Sequence, residues 1–209
     1  MFKKKLNIKF YNMEDEKKIE KKVKSPRESS LILKKISELL TDICEENKKE
    51  TNLFYKPLKS FYSMNIPLIS IKDYLEQLYK YTKIDSSTIV LILIYIDRIC
   101  NIYKCKLSYY NIHKLILGAL VVASKYNEDC SYTLKYYSKI GGVSQAEIFN
   151  LEYNFLALIK LKLFVTEELF CKYNDYLLSS DSDDDSDNWD FDDDNNINND
   201  IKKNKDFFG

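Results

Sequence analysis

An all-α fold is predicted for this 209-residue chain by three observations: it carries only four glycines and three prolines, its apolar residues recur at helical spacing, and a serine or threonine heads most of the apolar stripes. With so few turn-forming residues, turn-rich β architectures and glycine-cradled nucleotide sites are poorly supported. The 45% hydrophobic and 14% aromatic content suffices for one substantial core, so a single domain with tails is expected.

Residues 1–24 are rich in Lys, Glu and Asn with too few apolar side chains for a core, and read as a flexible N-terminal segment. Residues 25–65 form an N-terminal helix and an aromatic connector. Ser25-Pro26-Arg27-Glu28 is a capping box with Pro at the first helical position, and Ile32, Ile36, Leu39, Leu40 and Ile43 follow on one face, so an amphipathic helix is predicted to about Asn47. Residues 48–69, with Pro57, Pro67, Phe54, Tyr55, Phe61 and Tyr62, read as a connector anchored by its aromatic rings on the domain surface.

Five helices are predicted in the next ninety residues. Ser70 heads Ile71, Tyr74, Leu75, Leu78 and Tyr81, a one-sided stripe. Ser86 or Ser87 opens residues 88–103, apolar nearly all round and therefore the central helix that the others surround. Ser108 opens a third helix to about Asn127, in which Gly118, Ala119 and Ala123 allow a neighbour to approach closely. Thr133 opens a short fourth, stopped by Gly141-Gly142, and the capping box Ser144-Gln145-Ala146-Glu147 leads into Ile148, Leu151, Phe155 and Leu158. Thr166 heads a further helix over residues 167–178, whose Leu169, Phe170, Tyr173 and Leu177 close one side of the bundle. Residues 179–209 are Asp/Asn/Ser-rich and self-repelling, an acidic tail expected to stay disordered.

The net charge is zero, but unevenly spread: residues 1–56 sum to +5, 57–178 to +3 and 179–209 to −8. Five cysteines (Cys44, Cys100, Cys105, Cys130, Cys171) form an odd set without a C-x-x-C pair, and His113 is the single histidine, so neither a metal site nor any cofactor is expected. The polar stretch after Lys3-Lys4-Lys5 lacks the apolar run of a secretory signal, and the longest apolar runs fall short of the roughly 20 residues that span a bilayer. A reduced, intracellular protein, cytoplasmic or nuclear, is the expectation.

The charges that interrupt the apolar helices are the most informative residues. Asp97 and Arg98, His113, Lys125 and Glu152 each stand among apolar neighbours, where ionic groups persist only when paired or met by a partner. No Ser/His/Asp or Cys/His spacing suggests catalysis, and His113 reads as a packing residue. In the tail, Ser180 and Ser182 each precede an aspartate by three residues, the pattern read by acid-preferring kinases. Asp181, Asp183 and Asp185 imitate the start of a calcium loop that lacks its glycine, Ser186 standing at the sixth position.

Over residues 66–178 the chain resembles a cyclin box, specifically that of the P/U-type cyclins related to the yeast phosphate-pathway cyclins. The resemblance rests on seven stretches in order: residues 67–75 (PLISIKDYL), 79–82 (YKYT), Tyr95-Ile96-Asp97-Arg98, His113-Lys114-Leu115, Ala123-Ser124-Lys125-Tyr126, Gly141-Gly142-Val143-Ser144 and Leu151-Glu152. It implies a five-helix bundle with a flanking N-terminal helix, and a non-enzymatic regulatory subunit that binds and activates a cyclin-dependent protein kinase as a heterodimer, with no nucleic acid, membrane or small-molecule substrate. It implies further that Lys125 and Glu152 grip the backbone of the kinase's mobile C helix, with Leu161 and Leu163 packing against that helix.

One departure stands out. The family's usual Arg four residues after Asp73 is here Gln77, so Asp97 loses its customary salt bridge and is expected to turn to Arg98 or Lys125. Asp97, Arg98 and Gln77 are assigned structural roles. Two alternatives stay open: a cyclin-box scaffold that binds without activating, its tail free to bind a basic partner or the basic N-terminal segment, and a transcription-factor-like cyclin-box protein on nucleic acid. The second is disfavoured by a middle region of only +3.

Overall fold

A computed structural model describes residues 26–48 and 55–179. The expected flexible N-terminal segment and nearly all of the acidic tail, including Ser180, Ser182 and the Asp181–Asp183–Asp185 pattern, lie outside the described residues. Among the described residues every regular element is helical: α1 (Pro26–Asn47), a 3-10 turn (Lys56–Phe61), α2 (Ile71–Thr82), α3 (Ser86–Tyr103), α4 (Ile112–Asn127), α5 (Leu134–Ile140), α6 (Gln145–Leu158) and α7 (Glu167–Leu178).

Local chemistry accounts for most of these boundaries. Ser70, Thr133, Ser144 and Thr166 sit in extended backbone and accept the amide three residues on, from Asp73, Tyr136, Glu147 and Leu169 respectively. Lys83 and Lys104 end α2 and α3 in left-handed backbone. The Ser144 capping box forms only half of its pattern: the Glu147 carboxylate turns to Lys114 of α4, 2.7 Å away.

Two helix starts differ from the sequence expectation. The central helix begins at Ser86, with Asp85 at the capping position but its side chain unused there. The carboxylate of Glu128, just past α4, accepts both the Asp85 amide, at 3.0 Å, and the Thr88 hydroxyl. Asn127 adds bonds to the Ser87 and Thr88 hydroxyls, so this cap comes from a residue forty positions away. Helix α4 begins at Ile112 and not just after Ser108, because the Asn111 carboxamide accepts the Ser108 amide at 2.9 Å and folds residues 108–111 into a separate turn.

The core forms around α3 and α4, which pack on one another. Helix α6 lies against α4, while α1 touches α2, α3 and α7. Among the described residues α3 alone is long and apolar enough to resemble a membrane span, yet 72% of it is buried by the rest of the chain. Within the connector Leu58 and Phe61 are fully buried while Met64 and Leu68 stay exposed, and Phe61 meets Phe155 of α6 edge-on with ring centroids 6.1 Å apart. Gly118 makes that junction possible, since a Cβ there would lie 3.0 Å from the Phe155 ring and 3.2 Å from that of Phe61. This close approach of α4 and α6 sets the geometry of the site.

Candidate functional site

Lys125 occupies the last turn of α4 and Glu152 the middle of α6, and the tight α4–α6 packing brings them together. The Lys125 ammonium lies 2.6 Å from Glu152 Oε1, with 38% and 15% of the two side chains exposed. An ion pair so accessible contributes only about 0.2–1 kcal/mol to the fold. Its significance lies in its position, at the rim of a surface that displays both a cation and an anion for hydrogen bonding.

That surface is apolar. On α6, Phe149 and Tyr153 stand three residues before and one after Glu152, opposite the buried Ile148, Leu151 and Phe155, and are 60% and 66% exposed. Tyr126 beside Lys125, and Leu161 and Phe164 in the loop after α6, are exposed as well. Large side chains left in water in this way mark interaction surfaces when they gather on one face. Phe149, Tyr153 and Phe164 were not singled out by sequence reasoning. The available signal was that Phe149 and Tyr153 fall off the buried stripe of their own helix.

Leu161 and Leu163 share the loop after α6 but not its environment: Leu161 projects into solvent, whereas Leu163 is half-buried against the core. Lys160 and Leu161 both adopt left-handed backbone, at φ 55° and 56°. The Leu161 amide returns to the Leu156 carbonyl and the Lys162 amide to that of Ile159, each at 3.1 Å. Beneath the loop, α3 supplies its support. The Tyr95 hydroxyl donates to the Leu163 carbonyl at 2.9 Å, and the Arg98 guanidinium donates to the carbonyls of Lys162 and Phe164.

Asp97 is buried and accepts from the Tyr173 hydroxyl of α7 at 2.6 Å and from the Asn101 carboxamide at 2.7 Å. One residue along a helix rotates a side chain by about 100°, so Arg98 reaches the loop while Asp97 meets α7. Burial and the adjoining carboxylate push the Tyr173 phenol well above its usual range, keeping it a donor. Gln77 donates to the Ile140 carbonyl at 2.7 Å and ties α2 to the end of α5. His113 packs beside Tyr74 with Nε2 3.0 Å from the Ile69 carbonyl, and burial lowers its pKa to about 4.

Comparison with known proteins agrees with this architecture. The family model described as Cyclin matches residues 15–163. Among similar proteins, Cyclin-U2-1 of Arabidopsis thaliana is 33% identical over 68% of this chain and 66% of its own length, and Cyclin-U1-1 of the same plant is 32% identical over 68% and 70%. PHO85 cyclin-7 of Saccharomyces cerevisiae is 31% identical over 66% of this chain and 53% of its own. The chain therefore spans between about half and about seven tenths of these relatives. A helix buried all round, ringed by shorter capped helices and matched over most of its surroundings by one family, leaves a single assignment: the chain belongs to the cyclin family and is a P/U-type cyclin-box protein.

Proposed function

We propose that this protein is a regulatory subunit that binds a cyclin-dependent protein kinase as a heterodimer and activates it by docking the kinase's C helix on the face formed by Lys125, Glu152, Leu161 and Leu163. The observation that carries the reading is the accessible Lys125–Glu152 pair at the edge of exposed Phe149, Tyr153, Leu161 and Phe164. An ammonium donates to backbone carbonyls and a carboxylate accepts from backbone amides, so the pair grips a helix end whatever its side chains. The apolar side chains around it supply contact area and exclude water, which strengthens those charged hydrogen bonds.

The subunit performs no chemistry itself. It binds the active placement of the kinase C helix better than the inactive one, and the difference between those two affinities sets how far the kinase population moves. The name of PHO85 cyclin-7 points to a kinase of the PHO85 type as the first partner to try.

The test is co-expression with such a kinase, followed by affinity capture and a phosphorylation assay with and without this chain. Lys125→Glu places two carboxylates where the clasp stood. It is expected to weaken pairing by about 2–5 kcal/mol, roughly 30-fold to several-thousand-fold in Kd, with unchanged helical circular dichroism. Unimpaired capture of the variant, or its unfolding, contradicts the proposed role of Lys125. Capture of the wild type without a gain in kinase activity leaves docking and refutes activation.

A further inference from the structure

Two cysteines meet at the C-terminal end of α3. Lys104 follows the helix in left-handed backbone, at φ 53° and ψ 28°, and turns the chain back on itself. At a helix end of this kind, the residue after the left-handed one packs against the residue four positions before the left-handed one, a contact that usually joins two apolar side chains. Here those residues are Cys105 and Cys100, both buried, and the Cys100 thiol donates to Cys105 Sγ. That hydrogen bond holds the Cys105 thiol below its ordinary range, while the same donation, with burial, holds Cys100 well above it. The remaining cysteines lack this combination. Burial pushes the Cys44 thiol up to about 12, where almost no thiolate forms, and Cys130 and Cys171 lie exposed on the loop after α4 and on α7. The docking face around Lys125 and Glu152 uses none of these thiols.

We propose that Cys100 and Cys105 form a reversible redox site, in which a hydroperoxide converts the two thiols to an intrachain disulfide. The Cys105 sulfur, as thiolate, attacks the outer oxygen of the hydroperoxide. The O–O bond breaks, the departing oxygen takes a proton, and Cys105 becomes a sulfenic acid. The Cys100 sulfur then attacks Cys105 Sγ, the S–S bond forms, and the sulfenic hydroxyl leaves with the Cys100 proton as water. Two thiols and one hydroperoxide thus give one disulfide, one alcohol (water, for hydrogen peroxide) and one water, and the sulfurs lose the two electrons that the O–O bond gains. A small-molecule thiol restores the pair by exchange and is itself oxidised to a disulfide. The crosslink pins the last turn of α3, where Asn101 donates to Asp97 and Asp97 accepts from Tyr173 of α7. Oxidation thereby fastens the junction of α3 with α7.

Trypsin reads the outcome directly, because it cleaves after Arg98, Lys104 and Lys106 and so places Cys100 on peptide 99–104 and Cys105 on peptide 105–106. The folded full-length chain, with Cys130→Ser and Cys171→Ser to silence the exposed thiols, is treated with equimolar hydrogen peroxide, alkylated and digested without reductant. The expected result is that the two peptides appear joined and separate on adding dithiothreitol. Cys105 should be consumed at least about tenfold faster than Cys44, a difference set by thiolate content and lost in urea. In Cys100→Ala the sulfenic acid has no partner and is captured on Cys105 by dimedone, whereas Cys105→Ala leaves Cys100 unoxidised. Should either alanine variant unfold, the joined peptides and the relative rates, which need neither variant, still decide. Cys105 reacting no faster than Cys44, Cys105 joined to Cys44, or Cys105 passing to sulfinic acid while Cys100 stays a thiol each overturns the proposal.

Discussion

Replacing Arg98 with alanine tests how the loop that presents Leu161 is held in place. Two consecutive non-glycine residues, Lys160 and Leu161, sit at positive φ, a strain of about 1–2 kcal/mol each. Arg98 opposes it with charge-assisted bonds to the Lys162 and Phe164 carbonyls, and the neutral Tyr95 hydroxyl adds a bond to the Leu163 carbonyl. Bonds to a charged donor stabilise by about 1.5–3 kcal/mol when fully buried. Arg98 is only partly so, and roughly 1 kcal/mol apiece is the appropriate scale.

The clamp and the strain are therefore of similar size, and losing Arg98 should free the loop while the bundle stays folded. The expected loss is about 2 kcal/mol, a thermal midpoint lower by roughly 4–8 °C. Hydrogen exchange at the Leu161 and Lys162 amides, bonded to Leu156 and Ile159, should accelerate by about 30-fold. Glycine tolerates the left-handed backbone of Lys160 without strain, so Lys160→Gly in the Arg98→Ala background should restore about 1 kcal/mol. Exchange that is unaltered in Arg98→Ala, or a further loss on adding the glycine, refutes the balance of clamp against strain. Kinase capture should fall in Arg98→Ala although the Lys125–Glu152 pair is untouched.

Two further outcomes follow from the core. Burial lowers the His113 pKa from 6.5 to about 4, so the unfolded chain binds more protons between those values and stability falls as pH drops through that window. Denaturant titrations should show about 3 kcal/mol lost between pH 6.5 and pH 4 from this group, and a flatter profile in His113→Gln; an unchanged slope would show that another group dominates. Gly118→Ala sets a methyl 3.0 Å from Phe155 and 3.2 Å from Phe61, and overpacking of about 1–3 kcal/mol should outweigh the helix-propensity gain of about 1 kcal/mol. A thermal midpoint equal to or above that of the wild type would mean the rings yield more readily than their burial suggests.

What the amino-acid sequence determined without the fold was local or periodic. Ser70, Thr133, Ser144 and Thr166 announce their helices because each bonds to an amide only three residues away, and the apolar run after Ser87 declares a central helix because no face of it is polar. The meeting of Lys125 with Glu152 was legible through family order, since the small Gly118 invites the packing that aligns them.

The tertiary structure decided the pairings between distant residues. Glu128 caps α3 across some forty positions, Gln77 binds Ile140, Asp97 is claimed by Tyr173, and Arg98 supports a loop more than sixty residues downstream. Each donor or acceptor has many chemically equivalent partners in the chain. Only the packing of whole helices, driven by burial of apolar surface with no regard to which polar groups lie at the rim, selects the one brought within bonding distance.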